Sequence, residues 1–214
     1  VLRVKAASVA GRPGADPGLP SSGRNEAEFL ALIRRNPVNA AILARLQTLG
    51  LPQLYLVAGC LFQTVWNSQS GRVPQDGIRD YNLFYWDADT SYEAEDAAIR
   101  RADQLFADLG VRIEVRNQAR VHLWFGQKYG LSRPALPSSR SGIDQFLVVC
   151  TCLGIDPAGQ VYAPYGFDDL SAGVLRRNPR TPTPQLYAAK AADYQARWPW
   201  LRLSDDQEHR PGVH

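Results

Sequence analysis

The run IRDYNLFYW, residues 78–86, constrains the fold more than any other stretch of the chain. Tyr81, Leu83 and Tyr85 share one parity and Asp80 and Asn82 the other, and in an extended backbone alternate side chains point to opposite faces. The aromatic face must be buried. The polar face then carries a carboxylate and an amide side by side, and charge in a sheet needs solvent, a partner or a ligand.

Around this strand the pattern alternates between helix and strand. Asn25 followed by Glu28 reads as a helix start, with Phe29, Leu30 and Ile33 at helical spacing, and a second helix runs from Pro37 to a stop at Gly50. QLYLVA (53–58) predicts a short strand that ends at Gly59, and CLFQTVWNSQ (60–69) a helix; 68–77 is a turn-rich loop. A helix follows over 91–109, opened by a Thr90–Glu93 capping box and closed by Gly110. VRIEV (111–115) is a third strand. Residues 117–129 read as a helix whose alternation keeps a strand open, 141–152 as a helix, VYAPY (161–165) as a short extended piece, and 184–197 as the last helix. Strands interleaved with helices imply an α/β or α+β fold with a small mixed β-sheet flanked by helices.

Residues 1–24 are rich in Gly, Pro, Ala, Ser and Arg, with too few large apolar groups to offset the entropy of ordering, and read as a flexible tail. Residues 205–214 read as a frayed end, leaving 25–204 as one domain. A net charge of +3 on 214 residues does not demand a polyanionic partner and disfavours a long nucleic acid. No run approaches the 18 apolar residues of a membrane span, which argues against a membrane partner, and three cysteines without metal or disulfide spacing suit a reducing compartment. The expectation is a cytoplasmic protein.

In the 111–115 strand, Arg112, Glu114 and Arg116 share a face. If that strand neighbours 78–86, Glu114 can face Asp80, and two carboxylates with the Asn82 amide oxygen converge beside the Gly59 turn. Hard divalent cations, Mg²⁺ above all and Mn²⁺ with it, take such oxygen sets and share their remaining positions with water and substrate phosphates. At Gly59 and Cys60 the backbone N–H groups of a helix start can approach a phosphate. The alternative is an edge strand whose polar groups are merely solvated.

The runs LVAGCLFQTVWNSQSGRVPQDGIRDYNLFYWD, SYEAEDAAIRRADQLFADLG, VRIEVRNQARVHLWFGQKYG and SSRSGIDQF resemble an uncharacterised bacterial nucleotidyltransferase-like family, domain of unknown function 925, within the polymerase-β-type nucleotidyltransferase superfamily. The resemblance spans about residues 30–200. It implies a nucleotidyltransferase fold, with Gly59-Cys60 as the glycine motif at the start of the first helix of that fold. It further implies Asp80 and Asn82 as the acidic pair, Glu114 as the third carboxylate, and two metal ions that orient a nucleoside triphosphate and activate an acceptor hydroxyl of unknown identity. Asn82 departs from that pattern, which has Asp there. The site then carries two formal negative charges instead of three, so weaker metal binding and slow or absent catalysis are expected. An inactive nucleotide-binding or regulatory protein of the same fold is the rival reading.

Further candidates surround this set. Arg116, Asn117, Gln118, Arg120 and His122 make a dense polar run that suits triphosphate or acceptor contacts, the arginines above all, with a solvated helix face as the alternative and His122 reading as structural. Ser138 and Ser139 bind an anion or simply cap a helix. Arg176, Arg177 and Asn178, which resemble the family's C-terminal motif, close over substrate or belong to a solvated basic loop. Trp66, Trp124, Trp198 and Trp200 are core residues before they are base-stacking platforms. A metal-dependent phosphohydrolase is disfavoured: of three histidines, two lie in the last six residues.

Overall fold

A computed structural model of the chain describes residues 25–130, 134–181 and 183–204; the 1–24 tail and the 205–214 end lie outside the described residues. The elements in chain order are α1 (Glu26–Ile33), α2 (Pro37–Arg45), β1 (Tyr55–Val57), α3 (Gly59–Gln69), β2 (Tyr81–Tyr85), α4 (Tyr92–Leu105), β3 (Ile113–Asn117), α5 (Val121–Tyr129), α6 (Ser139–Ile143), β4 (Gly154–Ile155), β5 (Val161–Tyr162), α7 (Asp168–Ala172), β6 (Val174–Leu175), α8 (Pro184–Arg197) and β7 (Arg202–Leu203). Five strands form a mixed sheet in the order β3-β2-β1-β4-β5, in which β2 and β3 are parallel and every other pair antiparallel. A small parallel pair, β6 and β7, stands apart.

Register explains how the sheet sorts its faces. Val115, Leu83, Leu56, Ile155 and Val161 lie side by side across all five strands. Their side chains therefore share a face, and they join Phe29, Cys60, Val65, Trp66, Ala98 and Ala102 in the main core under α1, α3 and α4. One residue away, Glu114, Asn82, Val57, Gly154 and Tyr162 form the next row, on the opposite face. There α6 covers the centre, with Ile143 packed among Tyr55, Val57 and Cys152. A Cβ on Gly154 would stand 2.7 Å from the Ile143 side chain, so glycine is what lets α6 sit down. The β3 edge of this face stays open: Asn82 and Glu114 are half-buried and Arg116 is exposed.

Helix ends follow the expected chemistry in part. Asn25 Oδ1 accepts from Glu28 N at 2.9 Å, while α2 and α4 end before the expected stops, and Gly50 and Gly110, in the left-handed region, close the short 3-10 turns Leu46–Leu49 and Ala107–Leu109 that follow them. At α4 the cap is Ser91 and not Thr90: Asp87 takes Asp89 N and Asp89 takes Ser91 N, each at 2.9 Å, and these two turns carry the helix start one residue on. Strand β2 begins at Tyr81 instead of Ile78. Ile78 N is bound back to Gln75 O in a turn through Gly77, and ladder pairing starts where Tyr81 N donates to Arg112 O at 2.9 Å. That pairing also moves β3 to 113–117, two residues later than its apolar pattern suggests.

The helix expected over 141–152 is not there. α6 ends at Ile143 because the Asn178 side-chain amide donates to the carbonyls of Asp144 and Phe146, at 2.8 and 2.7 Å, and Val149 N is taken by Arg176 O. Those carbonyls are the acceptors that a continuing helix needs. The elements β4, β6, α7 and β7 carry no periodic signal, being two to five residues long. Among the described residues no helix is long and apolar enough to cross a membrane.

Candidate active site

The open corner of the sheet is built from three chain segments. Antiparallel pairing sets Val57, the last residue of β1, opposite Asn82, and parallel pairing sets Glu114 on the other side of Asn82. Adjacent strands lie about 4.8 Å apart, so the Glu114 and Asn82 side chains emerge next to each other. Asp80, one residue ahead of β2, joins them: Asn82 Nδ2 donates to Asp80 Oδ1 at 3.0 Å. The three polar groups therefore meet on one face, which the sequence pattern allowed only on the condition that the two strands adjoin.

This contact fixes the orientation of the amide. Nδ2 faces Asp80, so Asn82 Oδ1 is turned away from it and keeps its acceptor capacity. Glu114 Oε1 meets Arg112 at 2.5 Å, but the arginine side chain is 71% exposed, so the ion pair adds little stability and is easily exchanged. Two half-buried carboxylates plus one amide oxygen form an all-oxygen donor set that fits a single hard cation with positions left for substrate. Among the described residues no three His, Cys, Asp or Glu side chains group as metal ligands, so a fully acidic two-metal cage is not what this corner supplies.

The strand-to-helix turn adjoins the corner. Ala58 holds φ 66° and ψ −140°, a region that costs a non-glycine residue on the order of 1–3 kcal/mol and that collects at functional turns. The strain thus falls on Ala58 and not on Gly59, whose φ is not positive. What Gly59 supplies is room, because a Cβ there would lie 2.4 Å from Gln63 Nε2. No side chain caps α3; Leu61 N donates to Ala58 O at 3.0 Å, and the Gly59 and Cys60 N–H groups precede that first bond of the helix. Cys60 contributes backbone only: its side chain is fully buried and its thiol donates to Val57 O at 3.3 Å. Burial first, and the Asp80 charge in addition, push that thiol well above its usual range, so it stays protonated and is no nucleophile.

Other candidates fall elsewhere. Arg116 pairs with Phe84 two residues beyond Glu114 and is exposed on the same face. Arg120 is turned to α4, where its Nε lies 3.0 Å from Glu95 Oε2 with both side chains nearly buried, and it donates to Thr90 O. Ser138 caps α6 through Ser141 N at 3.1 Å, and Ser139 N donates to Gln53 Oε1 at 3.2 Å. Gln53 precedes β1, so both serines lie at the far end of the sheet, about 20 Å of strand from Asp80. Arg176 grips Asp169 in α7 with two hydrogen bonds, and Arg177 is bridged to Val148. Trp66 and Trp198 are fully buried, and Trp200, 38% exposed, donates to Ser70 Oγ at 2.9 Å.

One candidate has a different role from the one expected, and one arrangement was not expected at all. Asn117, fully buried, accepts from Asp87 N and Ala119 N and donates to Asp87 O and Asp89 O, locking the end of β3 to the loop after β2. Gln63 and Arg197 lie against the Gly59 turn, with Arg197 Nη2 2.7 Å from Gln63 Oε1. Helical spacing of four from Gly59 is a faint signal for Gln63; nothing local points to Arg197.

Fold and site together define a class: a mixed-sheet α/β protein with carboxylates at one sheet corner, beside the uncapped N-terminus of the helix that follows the first strand. The chain belongs to a nucleotidyltransferase family, since the family model described as Nucleotidyltransferase matches residues 44–203. Among solved structures it is similar to one described as "The NMR structure of the protein reveals a CCA-adding enzyme head domain". That match has a TM-score of 0.69 at 25% identity and covers 85% of this chain and 96% of that one. No curated protein sequence matches.

Proposed function

We infer that the protein transfers a nucleoside monophosphate from a nucleoside triphosphate to the hydroxyl of an acceptor, at the corner formed by Asp80, Asn82 and Glu114. The observation that carries this reading is the gathering of those side chains on one open face beside the strained Ala58–Gly59 turn. Asp80 and Glu114, aided by Asn82 Oδ1, would hold Mg²⁺ or Mn²⁺. Bound there, a divalent ion would lower the cost of deprotonating the acceptor hydroxyl and offset charge on the phosphates. The chain itself contributes the rest. The backbone N–H groups at Gly59 and Cys60, at the start of α3, orient the nucleotide's phosphate, and Arg116, exposed on the same face, lies within the reach of a long side chain of it.

Family membership and the structural likeness support nucleotidyl transfer as the reaction type. The test uses labelled nucleoside triphosphates, Mn²⁺ and a lysate as acceptor source. Transfer of label that disappears in Asp80→Ala is expected, and transfer unaltered in that variant refutes the assignment. A second reading rests on one contact: the Asn82 amide already occupies a lone pair of Asp80, which weakens the site. Saturable nucleotide binding without turnover, persisting after Asn82→Asp, would establish that binding-only role.

A further inference from the structure

We propose that Gln63, Arg197, Arg79 and Arg72 form the seat of the nucleotide's pyrophosphate end, on the α8 side of the Gly59 turn. This rests on the nucleotidyl-transfer reading above and adds to it the residues that hold the leaving group.

The geometry starts at Arg197, near the end of α8. One of its amino groups donates to Gln63 Oε1 at 2.7 Å and to Gly77 O at 2.9 Å, and its guanidinium lies 4.2 Å from the centre of the Trp198 ring. A guanidinium only donates, so Gln63 must turn its oxygen to Arg197 and its Nε2 the other way. That Nε2 lies directly over Gly59, where it adds a side-chain donor to the backbone N–H groups at the start of α3. The loop between α3 and β2 is strapped to α3 by Asn67, whose amide donates to Pro74 O and Asp76 O, and Trp198 Nε1 donates to Asn67 Oδ1. This strapping carries Arg72 and Arg79 alongside Arg197.

Three cations are thus gathered, and none of them forms an ion pair among the described residues. Burial is the largest cause that lowers the proton affinity of Arg197; the Asp193 carboxylate comes next and opposes it, and the fields of Arg79 and then Arg72 lower it further. Such mutual repulsion is relieved by a polyanion, and arginine forks match phosphate oxygens. Arg79 is the residue before Asp80, so along the chain a cation directly adjoins the acidic corner.

Inorganic pyrophosphate is the probe, titrated without divalent metal, with adenosine monophosphate as the comparison. The double variant Arg72→Ala/Arg79→Ala removes two exposed side chains and should melt as the wild type does; it should bind pyrophosphate at least tenfold more weakly and the monophosphate unchanged. Gln63→Glu, which keeps the Arg197 contact but turns a donor into an anion, should show the same selective loss. Pyrophosphate affinity within twofold of wild type in both variants, or equal loss for both ligands, overturns the proposal. Asp80→Ala separates the two readings: it should abolish transfer yet keep metal-free pyrophosphate affinity. Transfer that survives Asp80→Ala would sink the transfer reading alone.

Discussion

Replacing Asn82 by Asp inverts the one direct contact inside the acidic corner. In the native chain Asn82 Nδ2 donates to Asp80 Oδ1 at 3.0 Å, and in Asn82→Asp two carboxylates face each other across that gap. Two unit charges 3–4 Å apart repel by about 4–6 kcal/mol at an effective dielectric of 20 and by about 1 kcal/mol in bulk water. The corner is half-buried. Repulsion of about 2 kcal/mol, with about 1 kcal/mol for the lost hydrogen bond, gives a metal-free variant about 3 kcal/mol less stable at pH 8. For a domain of this size that is a fall in Tm of about 6–12 °C.

The sign of the pH dependence follows from proton counting. In the folded variant the pair retains a proton that separate aspartates in the unfolded chain release near pH 4. The folded state therefore binds more protons, and stability falls as pH rises through the folded pair's titration; below about pH 4 both states are protonated and the repulsive penalty vanishes. A divalent cation would relieve the same repulsion. Thermal melts in chelator and in Mn²⁺ at pH 4 and pH 8, with calorimetric titration of Mn²⁺, read all of this. The expected result is a loss of stability confined to chelator and high pH, restoration by Mn²⁺, and Mn²⁺ affinity at least tenfold above wild type. Equal melting of variant and wild type in chelator at pH 8, with equal Mn²⁺ affinity, would refute the reasoning.

Asn117→Ala strips the partners from two backbone N–H groups and two carbonyls around a fully buried side chain, so chemical denaturation should record a loss of about 3 kcal/mol or more. Ala58→Gly relaxes the strained turn; the gain, set against the extra freedom of glycine in the unfolded chain, should be about 1 kcal/mol by the same measurement, and a loss would show that the turn is not strained. Arg120→Ala leaves Glu95 without its cation and should cost about 3 kcal/mol, while nucleotide affinity measured by calorimetry stays within twofold; a selective loss of affinity would return Arg120 to the site.

The period-two pattern of residues 80–85 is a property of the covalent backbone, and from it the sequence alone determined that Asp80 and Asn82 share a face opposite Tyr81, Leu83 and Tyr85. Helix spacing likewise determined α1, α3 and α8, and capping chemistry the start of α1 and the glycine stops, because each depends on neighbours within four residues. Whether Glu114 joins that face was decided only by the parallel register of β3 on β2, a choice made by burying Val115 beside Leu83. Competition between distant hydrogen-bonding groups is equally invisible in a linear pattern. Asn178 ended a helix that 141–152 by itself would continue, and Arg197 arrived beside Gln63 from 134 residues away. Periodicity is local and survives in the sequence. Register and long-range hydrogen bonds are settled by which partners the packed core brings together, and the far side of the Gly59 turn exists only once that core has formed.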